Sequence, residues 1–312
     1  MNASHASPQA ESAAACGITG HALVSARRSE IAALRDRPGP DGAPALPPRF
    51  LRHCDEHTVV GVHAVLRALA ARGPEPVDLG RHAVVAASCQ VGRLIAAQTL
   101  ANLATAGGVS VSPHIVPQCS LHSVAGAVSV GLGMRGPQLG VGGGPDALAE
   151  GLFAAATIIH AAVAAGDPPC VWLVATEWEE EPTLDDAGLA AGDPVCRALA
   201  LAIEPDAPGA DHAGGRSGAG VARGLVAAAR RTPAPSVASL SLSLRFPERP
   251  RLRVVAPEAG GGLAEFARAL DMCREGTALV SWAIECPWGG EIRVSRRTAT
   301  AAPAHVRLRG AA

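Results

Sequence analysis

The sequence predicts an α/β protein whose largely parallel sheet is covered by helices on both faces. Three observations carry this. Segments of strand and helix character alternate over residues 16–205. The run Ala83-Val84-Val85-Ala86-Ala87 is short, continuous and apolar, as a strand buried on both faces must be. Hydrophobic residues make up 48% of the 312, enough for a large core.

Residues 1–15 are small and polar and are expected to be disordered. Residues 16–24 read as a first strand and 29–35 as a short helix. Five prolines within residues 38–48 mark a loop. Val59, Val60, His63, Val65, Leu66 and Leu69 recur at helical spacing, which predicts a helix over 57–72 ended by Gly73-Pro74. The strand over 81–88 follows, then a helix over 92–106 stopped by Gly107-Gly108. This β, α, β, α order is what implies the parallel sheet.

Residues 112–152 are the stretch around which the rest is organised. Pro113 and Pro117 permit turns and then the first turn of a helix. Residues 120–132 are small and apolar, with Gly126 in the middle, and predict one helix packed closely on a partner. Gly136-Pro137 ends it. A strand over 138–141 runs into the elbow Gly142-Gly143-Gly144-Pro145-Asp146, with Asp146 expected to cap a helix over 147–163. Strand, sharp elbow and buried helix form the geometry that presents a nucleophile in several acyl-transfer enzymes.

Residues 169–177 read as another buried strand, and 197–203 as a strand antiparallel to it. A Gly-, Asp- and Pro-rich linker over 206–220 separates a shorter second part, 221–312. That part is expected to hold a helix over 221–230, strands over 239–246 and 251–255, a helix over 263–274 and a terminal hairpin over 278–285 and 291–295.

Composition excludes several chemistries. The chain has no lysine, which removes Schiff bases, pyridoxal phosphate attachment and Walker-type phosphate loops. A formal net charge of −1 gives no footprint for nucleic acid or an anionic membrane. Eight cysteines with no C-x-x-C pair and no signal peptide predict free thiols in a reducing cytoplasm. No uninterrupted apolar run reaches the roughly 20 residues of a membrane span.

The order of proline turn, small-residue helix, Gly136-Pro137, strand, elbow and Ala-rich helix resembles the N-terminal half of β-ketoacyl synthases of the thiolase fold. The likeness is greatest to the short subgroup akin to chain-length factors. The opening Ile18-Thr19-Gly20 strand, the strand ending at Glu177 and the Cys286-Pro287-Trp288-Gly289-Gly290 connector resemble family features as well. The resemblance implies a layered α-β-α-β-α sandwich with a truncated second half. It places Trp288 where an acyl-gating phenylalanine sits.

In working ketosynthases the elbow holds the acyl-accepting cysteine. Counting from Gly136-Pro137, that position falls on Gly144 or Pro145, and neither can form a thioester. The family's catalytic histidines lie in an H-G-T-G-T run and a G-H pair of the second half. After residue 205 the only histidines here are His212 and His305, in no such motif. The resemblance thus implies a non-catalytic subunit, without cofactor, that pairs with an active ketosynthase or with itself and works on an acyl carrier protein. Gln118, His122, Val124, Val128, Gln138 and Val141 would then face the partner, and Gly142 to Asp146 with Trp288 would line the acyl tunnel.

The competing reading is an acyltransferase or hydrolase. Cys119 stands three residues before His122, a spacing that on one helix sets thiol and imidazole on the same face. Against it stands the plainer view of Cys119 as a small buried hydrophobe and His122 as a hydrogen-bonded interface residue. The run Gly131-x-Gly133-x-x-Gly136 matches a dinucleotide fingerprint but closes a helix instead of opening one. Glu177, Glu179, Glu180 and Glu181 read as a wet strand-end loop or a metal or acid–base cluster. Cys16 with His21, and Cys54 with His53 and His57, lack a second pair at metal spacing, so no metal site is expected.

Overall fold

The computed structural model describes residues 15–73, 77–165, 170–185, 188–205, 238–243, 262–275, 281–286 and 291–295. The expected helix over 221–230, the strand over 251–255, the linker over 206–220 and the connector with Trp288 lie outside the described residues.

Eight strands form one sheet in the order β3-β2-β4-β5-β1-β6-β8-β7. They are β1 (Ala15–Arg27), β2 (Ala83–Cys89), β3 (Gln138–Gly143), β4 (Val171–Trp178), β5 (Val195–Pro205), β6 (Ala238–Ser243), β7 (Ser281–Glu285) and β8 (Glu291–Ser295). The strand β2 runs parallel to both β3 and β4, and β5 is antiparallel to β4, as the sequence predicts, but β1 pairs antiparallel with β5 and β6, and β8 with β6 and β7, so the sheet is parallel only across β3, β2 and β4 and not largely parallel as expected. At Thr19 the β1–β5 register shifts, and the Thr19 hydroxyl donates to Glu204 Oε1 at 3.0 Å. Before that bulge, Ala15 to Ile18 pair with β6, so β1 joins the two parts of the chain through one ladder.

The helices are α1 (Arg28–Leu34), α2 (Glu56–Ala71), α3 (Arg93–Ala106), α4 (Ile115–Gln118), α5 (Ser123–Leu132), α6 (Ala147–Ala164) and α7 (Leu263–Glu275). Period-two alternation in the central strands divides the core between two faces. Val84, Ala86, Trp172 and Val174 pack with α1, α2 and α5, whereas Ala83, Val85, Ala87, Leu173 and Ala175 pack with α6 and α7. The second core also takes in Ile292 and Val294 of β8. Helix α6 is long and apolar enough by composition to cross a membrane, but Leu152, Ala155, Ala156 and Ile159 bury its apolar stripe within this core. Gly151 lets it approach: a Cβ there would lie 2.5 Å from Ala87 Cβ and 2.7 Å from Leu173 Cδ1.

The helix expected over 120–132 is α5, which starts only at Ser123; a separate single turn, α4, precedes it, and Cys119 to His122 form the turn between them. Local hydrogen bonding to serines is the cause. The His122 N–H donates to Ser120 Oγ at 3.1 Å, and Ser123 Oγ donates to the carbonyls of Ser120, at 2.7 Å, and Pro117. The Leu121 backbone then crosses β3 at Gly140 so closely that no Cβ would fit. Gly133 closes α5 in the left-handed conformation at φ 68°, so the glycine-rich run there is a helix terminus.

Candidate functional site

The elbow stands at the carboxyl ends of β2, β3 and β4. Connections leave β2 and β3 toward opposite faces, since α5 packs with the first core and α6 with the second. This is a topological switch point, where open α/β sheets form their crevices. Gly142 and Gly143 have φ of 93° and 105°, and a Cβ on Gly142 would come within 2.6 Å of Ala147 Cβ. The bend therefore needs glycine twice. Gly144 and Pro145 stand at its tip, and neither carries a reactive group.

Asp146 occupies the capping position of α6 but makes no side-chain cap bond, contrary to expectation. Its backbone, at φ −86° and ψ 7°, is outside the extended conformation from which a capping carboxylate reaches the first-turn N–H groups.

The carboxylates near the elbow are spoken for separately. Glu177 accepts from the Leu263 N–H at 3.0 Å, tying the end of β4 to the start of α7, and burial raises its pKa. Glu181 accepts from Arg93 Nη1 and Gln90 Nε2, both at 2.9 Å, and Arg197 holds Glu179 at 2.9 Å. No group of three or more potential ligands that could hold a metal ion occurs among the described residues.

Two thiols lie near the elbow. Cys89 pairs in register with Gly143, and burial followed by the charge of Glu177 raises its pKa. Cys286 is raised to about 11 by burial and by Asp146. Cys119 sits in the turn between α4 and α5, so it shares no helical face with His122. Its Sγ donates to the Gly92 carbonyl at 3.4 Å, and burial followed by Asp55 raises its pKa.

The structure separates the residues expected to meet a partner. Val124 and Val128 are fully buried in the core with α2, because the inward stripe of α5 falls on them, and they are unavailable to another chain. Val130, 72% exposed, carries the outward face instead. Gln118 donates to the His53 carbonyl at 2.6 Å. Gln138 is exposed on β3, and Val141 is partly buried against the second core. Strand β3 has β2 on one side and no strand on the other among the described residues, which leaves a row of backbone groups along its outer edge.

The sequence reading did not single out Asp55 or Thr176, and it weighed His57 only as a metal ligand. Asp55 caps α2, accepting from the Thr58 N–H at 2.6 Å, and is 2% exposed. Burial pushes its pKa to about 6. His57 Nδ1 meets Thr176 Oγ1 at 2.8 Å, and Thr176 donates to Ser88 Oγ at 2.8 Å. The signal for the first was present, since an aspartate three residues before a threonine at the head of an apolar helix is a capping pattern.

No family model matches this sequence, and no curated protein matches it. Solved structures are similar in fold. A ketosynthase in complex with its chain length factor from Xenorhabdus doucetiae is 20% identical, with 90% of this chain and 99% of that one covered, at a TM-score of 0.49. The ishigamide ketosynthase/chain length factor is 16% identical over 90% of this chain and 99% of that one, with a TM-score of 0.50. The chain has the thiolase-type fold of ketosynthases and chain length factors.

Proposed function

We propose that this chain is a ketosynthase-like subunit of the chain-length-factor kind, which acts by association with an active ketosynthase. It would support the building of a polyketide, aryl-polyene or fatty-acyl chain on an acyl carrier protein. The observation that carries the reading is the elbow: strand, left-handed glycines and buried helix are retained while its tip is Gly144-Pro145. The thiols at Cys89 and Cys286 have raised pKa values, and Cys119 bonds to a carbonyl instead of an imidazole. A thiolate nucleophile needs the opposite environment.

The outer edge of β3, with Gln138 and Leu139 exposed, and the outward face of α5 offer the surface for pairing. Gly142 to Asp146 and Trp288 would line the tunnel that the two subunits share. Co-expression with a separately encoded ketosynthase tests the proposal. Co-purification as a stable complex, with chain synthesis requiring both subunits and surviving Cys119→Ala, supports it. A stable monomer that binds no ketosynthase, or an acyl adduct on Cys119 after incubation with an acyl-carrier thioester, overturns it, the latter in favour of an acyltransferase using Cys119 and His122. A dimer of this chain alone would make it a homodimeric scaffold.

A further inference from the structure

At the end of the sheet away from the elbow, a short 3-10 turn, Leu79–Arg81, leads into β2. Local bonds shape it: the Gly80 N–H donates to Asp78 Oδ1 at 3.1 Å, and the His82 N–H to the Leu79 carbonyl at 3.0 Å. Leu79, partly buried, packs on the first core. This turn carries the entry to β3. The Gly80 carbonyl accepts from the Arg135 N–H and the His82 carbonyl from the Gly136 N–H, both at 3.1 Å. The approach is so close that a Cβ on Gly136 would lie 2.6 Å from the His82 carbonyl oxygen.

A side-chain bond fastens the turn to the sheet. The Trp172 indole N–H donates to His82 Nδ1 at 3.0 Å. An indole nitrogen can only donate, so Nδ1 must present its lone pair and the proton of the neutral ring sits on Nε2. A second proton, on Nδ1, would set donor against donor. Trp172 is fully buried within β4, whereas His82 is half-buried on a short turn, so the histidine is the partner that gives way.

The charged groups around the ring do not hold it in place once protonated. Burial, then the charge of Arg72 at the end of α2, lowers the His82 pKa from 6.5, against the weaker pull of Glu204 and Asp78. Glu204, on β5, is committed to Arg72 at 2.6 Å and to Thr19 at 3.0 Å, and Asp78 to the Gly80 N–H. The Cys170 thiol beside Arg72 is fully buried and its pKa is pushed up to about 12, so it carries no charge to offer.

We propose that His82 and Trp172 form an acid-released clasp: protonation of His82 frees the turn Leu79–Arg81 and, with it, residues 135–136 at the entry to β3. One short element opens against a fixed core, so the open population follows the protonation of a single ring. At neutral pH the ring is neutral and the clasp is shut, and it opens as pH falls below 6.5. The inference is independent of what pairs with β3.

Hydrogen exchange of the full chain, followed by NMR between about pH 7.5 and pH 5 with rates corrected for intrinsic exchange, tests this. The Trp172 indole resonance should shift along a one-proton curve. Protection of the Arg135 and Gly136 amides should fall in step by about threefold to tenfold, the weight of one hydrogen bond. In His82→Gln, whose amide oxygen accepts from the indole without titrating, both responses should vanish. In His82→Phe the two amides should exchange fast at every pH. An indole resonance that does not move, protection that stays constant, or the same pH response in His82→Gln overturns the proposal. Loss of the helical circular dichroism signal over the same range also overturns it, since the opening would then be global.

Discussion

His57 Nδ1 lies 2.8 Å from Thr176 Oγ1, which joins the first turn of α2 to the end of β4 inside the core. Thr176 in turn bonds Ser88 Oγ at 2.8 Å, so the ring is tied through Nδ1 into a buried pair of hydroxyls. The other nitrogen, Nε2, is buried with no partner. A second proton would have nowhere to bond, and burial lowers the His57 pKa from 6.5 to about 4. The folded state therefore binds fewer protons than the unfolded chain between those values. This contribution to stability is complete above pH 6.5 and is lost as pH falls toward 4, by about 3 kcal/mol. In His57→Phe, urea denaturation across pH 4 to 7 should show that component gone.

Asp55, two residues earlier, acts with the opposite sign. Its pKa rises on folding from 3.8 to about 6, so its contribution is complete below pH 3.8 and is lost as pH rises through 6. The two groups offset one another across the overlapping range. Asp55→Asn should therefore lose stability more steeply on acidification than wild type and be at least as stable at pH 7. A denaturation series parallel to wild type would contradict this.

Much of this fold can be read from the letters, and the part that cannot has a physical reason. Strands β2, β4 and β5 are continuous apolar runs because both faces are covered, and α2 shows helical spacing because one stripe faces the sheet. The elbow was legible because Gly142 and Gly143 announce positive φ. The late start of α5, at Ser123, was not, since it depends on serine hydroxyls outcompeting backbone bonds and on Leu121 crossing Gly140, a contact made through space. The approach of His53, His114 and His122 to one another was also out of reach, because the segment around the α4–α5 turn meets the head of α2 only through space.

Close packing of α6 gives a third prediction. Gly151→Ala improves intrinsic helix propensity by about 1 kcal/mol, yet the new methyl would meet Ala87 and Leu173 of two central strands. Overpacking at a rigid sheet costs about 1–3 kcal/mol, so the substitution should be net destabilising, read as a lower midpoint in urea.

Cys119 tests whether any thiol here is activated. Burial and the nearby Asp55 raise its pKa, so at pH 7.5 it should react with iodoacetamide more slowly than free cysteine. Time-resolved peptide mass spectrometry reads the rate. Faster modification than the free amino acid would restore the catalytic reading of Cys119 and His122.

Leu139 and Val130 lie on the exposed side of β3 and α5, apart from the residues that build the core. Leu139 is 41% exposed on the edge strand β3, and Val130 projects from α5, whereas Val128, two residues away, is fully buried against α2. An exposed apolar side chain on a free sheet edge contributes little to the monomer but invites pairing with another chain. Leu139→Arg and Val130→Glu should each change monomer stability by about 0.5 kcal/mol or less while weakening the complex with a ketosynthase or a second copy, measured by sedimentation. Val128→Glu, by contrast, places a charge in the core and should prevent folding. If both surface variants assemble as well as wild type, pairing does not run through β3 and α5, and the association on which the proposed role depends must use another face.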